Sequence, residues 1–248
     1  MGTSLNLFDD EETAQTGRER IGAQSVVLRG FALPAARALL AGVDAVRREA
    51  PFRHMVTPGG LPMSVALTNC GDFGWTSDER GYRYTREDPR TGQPWPAMPE
   101  AFDTLAREAA LAADFPGFAP DACLVNRYQP GSRLSLHQDK DERDYDAPIV
   151  SVSLGMPAVF LFGGHERGDK AVHVPLFHGD VVVWGGVDRL RYHGVLPLKD
   201  RPPPHAGQRA DQLHHPQGGL RRPRPPRPPL RRRATPPWGS PPARRKRR

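Results

Sequence analysis

A series of seven short apolar runs, divided by turn residues, constrains the fold of this chain more than any other feature. Short strands at such intervals, separated by sequences such as Gln-Pro-Gly and Gly-Met-Pro, are typical of an antiparallel sandwich or jelly roll. One stretch, residues 150–154, alternates apolar residues with serine, which predicts a strand with one buried face. The seven runs span residues 123–128, 133–137, 148–154, 158–162, 171–176, 180–184 and 192–196.

Two amphipathic helices are predicted before this β region. Pro34 is tolerated in the first turn of a helix, and apolar residues then recur at helical spacing as far as Pro51. A second helix is predicted to begin near Pro99 and to end before Pro116. Between the two, residues 51–98 are rich in Gly, Pro and aromatic residues without a sustained period, which favours a loop-rich β region over a core element.

The distribution of charge and proline divides the chain near residue 200. Residues 201–248 contain 13 arginines and one lysine against one acidic residue, so they carry +13, whereas residues 1–200 carry −6. The last 48 residues also hold 13 of the 28 prolines. We therefore predict a polar, irregular segment over 1–24 and a globular domain over 25–200 with its β core at 122–200. The basic, Pro/Arg-rich tail is expected to be disordered, because its composition cannot form a core.

Composition excludes several classes of protein. No apolar run approaches the roughly 18–20 residues of a membrane span, and the acidic start is unlike a signal peptide, so we expect a cytoplasmic protein. Two cysteines, Cys70 and Cys123, are too few for a disulfide framework, and we expect both to be reduced and structural. The net charge of +7 comes from the tail and does not by itself indicate a nucleic-acid partner.

His137 and Asp139 lie two residues apart on a predicted strand, and His193 follows on a later one. Residues two apart on a strand point to the same face, so the imidazole and the carboxylate can converge. Two histidines and one carboxylate leave the other positions of a metal open, as in non-haem Fe(II) oxygenases. The spacing alone is common by chance, so it indicates a metal site only in a supporting context.

Several longer motifs supply that context. Among them are Met-Val-Thr-Pro-Gly-Gly at 55–60, Pro-Trp-Pro-Ala-Met-Pro at 94–99, Leu-Ser-Leu-His-Gln-Asp-Lys-Asp-Glu at 134–142 and His-Gly-Asp-Val-Val-Val-Trp-Gly-Gly at 178–186. Together they resemble the bacterial AlkB family of Fe(II)- and 2-oxoglutarate-dependent dioxygenases, which repair alkylated bases. The resemblance runs from about residue 7 to residue 200. It implies a mainly β fold, a double-stranded β-helix (jelly roll) with flanking helices and a nucleotide-recognition lid at 51–98.

The resemblance also implies a chemistry. The implied metal ligands and catalytic residues are His137, Asp139 and His193, with Fe(II) as the metal and 2-oxoglutarate and O2 as co-substrates. The reaction would hydroxylate the N-alkyl carbon of bases such as 1-methyladenine or 3-methylcytosine in DNA, or in RNA, and release formaldehyde, succinate and CO2. The implied co-substrate residues are Asn126, Arg127 and Tyr128. Without the family, Asn126 would be an edge-strand polar group and Tyr128 a core aromatic.

A further set of residues matches family positions near the damaged base. A base methylated on a ring nitrogen is cationic, so aromatic faces and a carboxylate would select it. The base must leave the stack to reach the iron, and Trp75 and His137 would then lie against it. Taken alone, Trp75 would be a packing anchor and Asp141 a solvated charge. The implied substrate residues are Trp75, Tyr82, Arg83, Tyr84, Asp141 and Arg167. Candidates for phosphate contacts are Arg53, Arg83, Arg86, Arg133 and Lys140.

The chain departs from the family after Asp200. The family closes its co-substrate site with a late strand of the pattern Arg-x-Asn-x-Thr-x-Arg, whose arginines pair with the carboxylates of 2-oxoglutarate. No such pattern follows here. Read one base later, however, codons for residues 210–218 permit Arg-Ile-Asn-Phe-Thr-Ile-Arg-Lys. We hypothesise a frameshift near residues 200–206, with the remaining tail translated out of frame.

Two other accounts stay open at this point. The tail could be a polybasic arm, in which case the protein would bind alkylated nucleic acid without repairing it. The site could instead hydroxylate a protein or a small molecule, although the predicted aromatic and acidic pocket favours a cationic base. We expect a monomer that acts on alkylated DNA, preferably single-stranded, and has no membrane partner.

Overall fold

A computed structural model describes residues 16–199 and 210–215 of the chain. Two helices, α1 (Ala36–Glu49) and α2 (Glu100–Ala112), accompany a mainly β architecture. The strands of the described residues are β1 (Gly17–Arg20), β2 (Ser25–Arg29), β3 (Arg53–Val56), β4 (Pro62–Gly71), β5 (Gly74–Asp78), β6 (Gly81–Thr85), β7 (Ala122–Tyr128), β8 (Leu134–His137), β9 (Ile149–Leu154), β10 (Ala158–Phe162), β11 (Val172–Leu176), β12 (Val181–Trp184), β13 (His193–Val195) and β14 (Ala210–His215).

These strands form two antiparallel sheets and a separate hairpin. The major sheet has the order β1-β2-β12-β9-β14-β7-β4-β3, and the minor sheet has the order β11-β10-β13-β8. Strands β5 and β6 pair only with each other. The two sheets enclose an apolar core, and the fold is the jelly roll that the sequence predicts.

The major sheet is covered on both faces. Its outer face packs against α1 and α2 through residues such as Leu39 and Phe102, which are fully buried. Its inner face packs against the minor sheet through Trp184 and Phe162. Because side chains alternate along a strand, each residue of a central strand belongs to one of these two layers. The inner layer is the one that holds the candidate site.

The sequence predictions of the main elements are confirmed. All seven apolar runs of the C-terminal half form strands, β7 to β13, and both predicted helices are present. Cys70 and Cys123 are opposite each other across β4 and β7, and both are buried, free cysteines, as expected of structural thiols. Neither described helix has the length and apolar character that crossing a bilayer requires.

Four details of the prediction differ from the structure. Strand β9 is buried along its whole length, not on one face, because it lies in the middle of a sheet that is covered on both sides. Residues Gly17–Arg20 form the edge strand β1, although the first 24 residues were expected to be irregular. The expected lid at 51–98 contains β4, which is a ten-residue strand of the major sheet, so only part of this region is peripheral.

The fourth difference is β14, which lies within the basic tail. Residues Ala210–His215 insert between β7 and β9 in the major sheet and pair with both neighbours. The sheet is therefore continuous, and the disorder expected of the tail does not apply to these six residues. The predictions for 1–15, 200–209 and 216–248 lie outside the described residues.

Candidate active site

The predicted metal ligands meet at one end of the minor sheet. His137 is the last residue of β8 and His193 the first residue of β13, and the two are direct partners in the ladder, with ring centroids 4.3 Å apart. Asp139 follows two residues after β8. Ligand atoms of His137, Asp139 and His193 all lie within 4.8 Å of one another, which makes this a group able to hold a metal ion.

Both imidazoles are held in the orientation that metal binding needs. Nδ1 of His137 lies 2.9 Å from the carbonyl oxygen of Ser135, and Nδ1 of His193 lies 3.1 Å from that of Arg191. A carbonyl can only accept, so Nδ1 carries the proton in each ring and Nε2 keeps its lone pair. Those Nε2 atoms face Asp139, at 3.4 Å for His137 and 3.3 Å for His193. The donor set therefore fits Fe(II).

Burial and the contacts among the three groups shift their pKa values in different directions. Burial lowers the pKa of His193, so its imidazole is neutral. Burial also acts to lower the pKa of His137, but the hydrogen bond to Asp139 and its negative charge outweigh burial and raise it. Burial acts to raise the pKa of Asp139, and the neighbouring imidazoles of His193 and His214 hold it well below its usual range. The carboxylate is therefore ionised, as a metal ligand must be.

A buried arginine fixes the loop that supplies Asp139. Arg189 is only 2% exposed, and its guanidinium donates to the backbone carbonyls of Asp139, at 2.8 Å, and Ala147, at 3.0 Å. A further nitrogen lies 3.4 Å from Oε2 of Glu142. These contacts hold both ends of the loop between β8 and β9.

Three of the predicted base-binding residues form one group beside the metal ligands. The rings of Trp75 and Tyr82 stack with centroids 5.6 Å apart and an interplanar angle of 14°. The indole Nε1 of Trp75 donates to Oδ2 of Asp141 at 3.0 Å. Asn69 of β4 bonds to both the amide and the carbonyl of Trp75, at 3.0 Å each, which fixes the hairpin on the major sheet. An aromatic surface and a carboxylate thus adjoin the loop that carries Asp139.

The other predicted substrate residues have different surroundings. Arg83 forms a two-pronged ion pair with Asp78, at 2.6 and 2.7 Å, and these bonds lower the pKa of Asp78 to about 2. Tyr84 donates its hydroxyl to Oε1 of Glu142 at 3.1 Å. Arg167 lies in an exposed turn after β10.

Besides Arg83, two arginines among the candidates for phosphate contacts have partners within the protein. Arg53 is paired with Asp88 through both nitrogens, at 2.6 and 2.7 Å. The guanidinium of Arg86 lies 4.7 Å from the ring centroid of Phe73. Arg133 and Lys140 are exposed.

The predicted co-substrate residues divide between the two faces of β7. Asn126 and Tyr128 are buried and belong to the inner layer. Arg127 lies on the opposite face, where its guanidinium stacks 3.7 Å from the ring centroid of Phe52. Because side chains alternate along the strand, Arg127 does not share the face of Asn126 and Tyr128, and its contact with the co-substrate stays a prediction.

Two residues near the ligands were missed from the sequence. Glu142 is 6% exposed, its Oε2 has no hydrogen-bond donor among the described residues, and burial raises its pKa. His214, on β14, lies with Nε2 2.9 Å from Oδ2 of Asp139. Glu142 follows Asp139 by three residues, a signal that was available, whereas no pattern predicted β14.

Two histidines and a carboxylate, converging between the sheets of a jelly roll, define a non-haem Fe(II) oxygenase of the double-stranded β-helix class. A family model described as the 2OG-Fe(II) oxygenase superfamily matches residues 24–224. The chain is 57% identical over 195 residues to the alpha-ketoglutarate-dependent dioxygenase AlkB of Escherichia coli K12, covering 79% of this chain and 89% of the relative. It is 44% identical over 189 residues to an AlkB homolog of Caulobacter vibrioides, covering 73% and 84%.

A solved structure agrees with these matches. The structure of OsALKBH1 covers 80% of this chain and is itself covered in full, with a TM-score of 0.68 and 27% identity. The chain belongs to the AlkB family within the 2OG-Fe(II) oxygenase superfamily. It is an Fe(II)-dependent dioxygenase that uses 2-oxoglutarate and O2, as the resemblance implied.

Proposed function

We propose that the chain repairs DNA by oxidative removal of N-alkyl groups from bases, with 1-methyladenine and 3-methylcytosine as substrates. The observation that carries this proposal is the group formed by Trp75, Tyr82 and Asp141 beside the metal ligands. An aromatic face attracts a cation, and a carboxylate next to it adds charge selection. Ring-methylated adenine and cytosine are planar cations and match both features. RNA is a second substrate class with the same bases.

Each group of residues has its own part in the reaction. His137, Asp139 and His193 would hold Fe(II), which together with 2-oxoglutarate and O2 supplies the oxidation of the N-alkyl carbon. Trp75 and Tyr82 offer the flipped base a stacking surface, and Asp141 holds the Trp75 indole in position. Arg189 keeps the ligand loop in place.

Asn126 and Tyr128 would contact 2-oxoglutarate from the inner face of β7. Both are uncharged donors, and the adjoining strand β14 has no Arg or Lys in its six residues. Co-substrate binding is therefore expected to depend on the metal and on neutral hydrogen bonds more than in relatives with the two family arginines. The alternative of a binder without turnover is not favoured, since the similarity to dioxygenases extends over most of the chain. The same similarity to AlkB dioxygenases disfavours a peptide or small-molecule substrate.

The function is tested by formaldehyde release from defined oligonucleotides. The full chain with Fe(II) and 2-oxoglutarate should release one formaldehyde per lesion from a strand containing 3-methylcytosine and none from the unmethylated strand. Single strands should react faster than duplexes, because flipping a base out of a duplex costs up to a few kcal/mol in lost stacking. Absence of formaldehyde from a metal-loaded protein that still binds the methylated strand would favour the binding-only alternative.

Substitution of Asp141 is expected to reduce the preference for cationic lesions. In Asp141→Ala, the ratio of kcat/KM for 3-methylcytosine to that for neutral 3-methylthymine should fall about tenfold, or about 1.4 kcal/mol, because the pocket loses its negative charge. Asp141→Asn is the matched variant, since its amide oxygen can still accept from Trp75. It should lose the same preference. If Asp141→Asn retained the preference for cationic lesions, the aromatic rings and not the charge would be responsible for it. The affinity for Fe(II) should not change in either variant.

A further inference from the structure

His214, on β14, reaches the metal ligands. Its strand, β14, lies between β7 and β9, and the preceding residue, Leu213, is fully buried in the layer beneath the helices. Because side chains alternate, His214 points to the inner layer, where its ring centroid lies 5.5 Å from that of Trp184 and 6.5 Å from that of His193. Its Nε2 lies 2.9 Å from Oδ2 of Asp139.

The geometry separates His214 from the ligands themselves. Among the described residues, only atoms of His137, Asp139 and His193 form a group that could hold a metal ion. Oδ2 of Asp139 is an ionised oxygen that can only accept, so Nε2 of His214 is the donor in this hydrogen bond. The bond occupies one carboxylate oxygen from the side of the major sheet, while Arg189 fixes the backbone carbonyl of the same residue.

We propose that His214 is a positioning residue, which fixes the orientation of the Asp139 carboxylate within the metal-binding group. This inference rests on the proposed iron site. With Oδ2 held by this hydrogen bond, Oδ1 lies 3.4 Å from Nε2 of His137 and Oδ2 lies 3.3 Å from Nε2 of His193, so each oxygen of Asp139 faces one histidine ligand. Removal of a residue that hydrogen-bonds to a metal ligand commonly lowers the affinity for the metal 10- to 100-fold. Strand β14 thus contributes an imidazole that contacts a metal ligand. In the family pattern, the corresponding strand contributes arginines that bind the co-substrate.

Metal affinity of the full-length, metal-free protein tests this role without any measurement of turnover. Co(II) serves as the probe, titrated anaerobically and followed by its visible absorption. His214→Phe keeps a ring but removes the donor, and we expect its Kd for Co(II) to rise about 10- to 100-fold, with an altered absorption spectrum. His214→Gln keeps an N–H donor and should bind within about threefold of the unsubstituted protein. His173→Phe, at an exposed position of β11, is the control and should bind normally.

The outcomes distinguish a failure of the positioning role of His214 from a failure of the iron site itself. An unchanged Kd in His214→Phe, or a His214→Gln variant as weak as His214→Phe, overturns the positioning role and leaves the iron site intact. Failure of the unsubstituted protein to bind Co(II) overturns the iron site and the inference together. Thermal unfolding of each metal-free variant checks the fold, and His214→Ala replaces His214→Phe if the larger ring prevents folding.

Discussion

Replacing Asp139 with alanine is expected to abolish dealkylation, with a fall in kcat/KM of at least about three orders of magnitude, or about 4 kcal/mol. Asp139 is the anionic member of the metal-binding group, and its ligand atoms lie within 4.8 Å of those of His137 and His193. Without it, the site keeps two imidazoles but loses its third ligand and the negative charge that balances a divalent cation. Formaldehyde release and Co(II) affinity should therefore be lost together.

The matched control is Asp141→Ala, two residues along the same loop. It removes an equal charge but no metal ligand, so its Co(II) affinity should equal that of the unsubstituted protein. Loss of metal binding in both variants would mean that the loop had been disturbed as a whole, whereas normal binding in Asp139→Ala would refute the assigned ligand set. Comparison of thermal unfolding without metal shows whether each variant folds.

The strands β7 to β13 could be predicted from sequence because each apolar run is bounded by turn residues. The order of the strands within each sheet could not be predicted, since a jelly roll pairs segments that are far apart in the chain. Strand β4 was not predicted because several of its buried positions are polar. Thr68 donates a hydrogen bond to the carbonyl of Ala50, and Asn69 donates one to the carbonyl of Trp75. Strand β14 was not predicted because a central strand of a sheet is not expected in a proline- and arginine-rich tail.

The site was predictable where local periodicity decides geometry. His137 and Asp139 converge as residues two apart should, and the same period could have excluded Arg127 from the face shared by Asn126 and Tyr128. Burial by distant parts of the chain, which local periodicity does not reveal, explains why Glu142 was not predicted. Glu142 stands in a run of charged residues that suggests a solvated surface, but packing against Arg189 and Tyr84 buries it.

The last prediction concerns the absence of a permanent cation from β14. Ala210 pairs with Tyr128 in the ladder, and Tyr128 is a predicted contact of 2-oxoglutarate. The frameshifted sequence Arg-Ile-Asn-Phe-Thr-Ile-Arg-Lys begins with arginine. When it is aligned from position 210, its first three motif residues fall at 210, 212 and 214, on one face of the strand, and its second arginine falls at 216, after the end of β14. Ala210→Arg is therefore expected to lower the KM for 2-oxoglutarate about 10- to 100-fold, because a hydrogen-bonded guanidinium–carboxylate pair contributes about 1.5–3 kcal/mol.

The single substitution keeps His214 and so leaves the metal centre unchanged. Ala210→Gln supplies a side chain that donates hydrogen bonds without a charge, and it should change the KM for 2-oxoglutarate less than about threefold. Titration of 2-oxoglutarate into the Co(II)-loaded protein measures binding separately from turnover, and the two measurements should improve in parallel. An Ala210→Arg variant with unchanged affinity would show that position 210 does not face the co-substrate, and the alignment of the frameshifted motif with β14 would then be wrong. A gain confined to arginine would instead indicate that charge is what this strand lacks, and that the family's co-substrate site is otherwise intact around Asn126 and Tyr128.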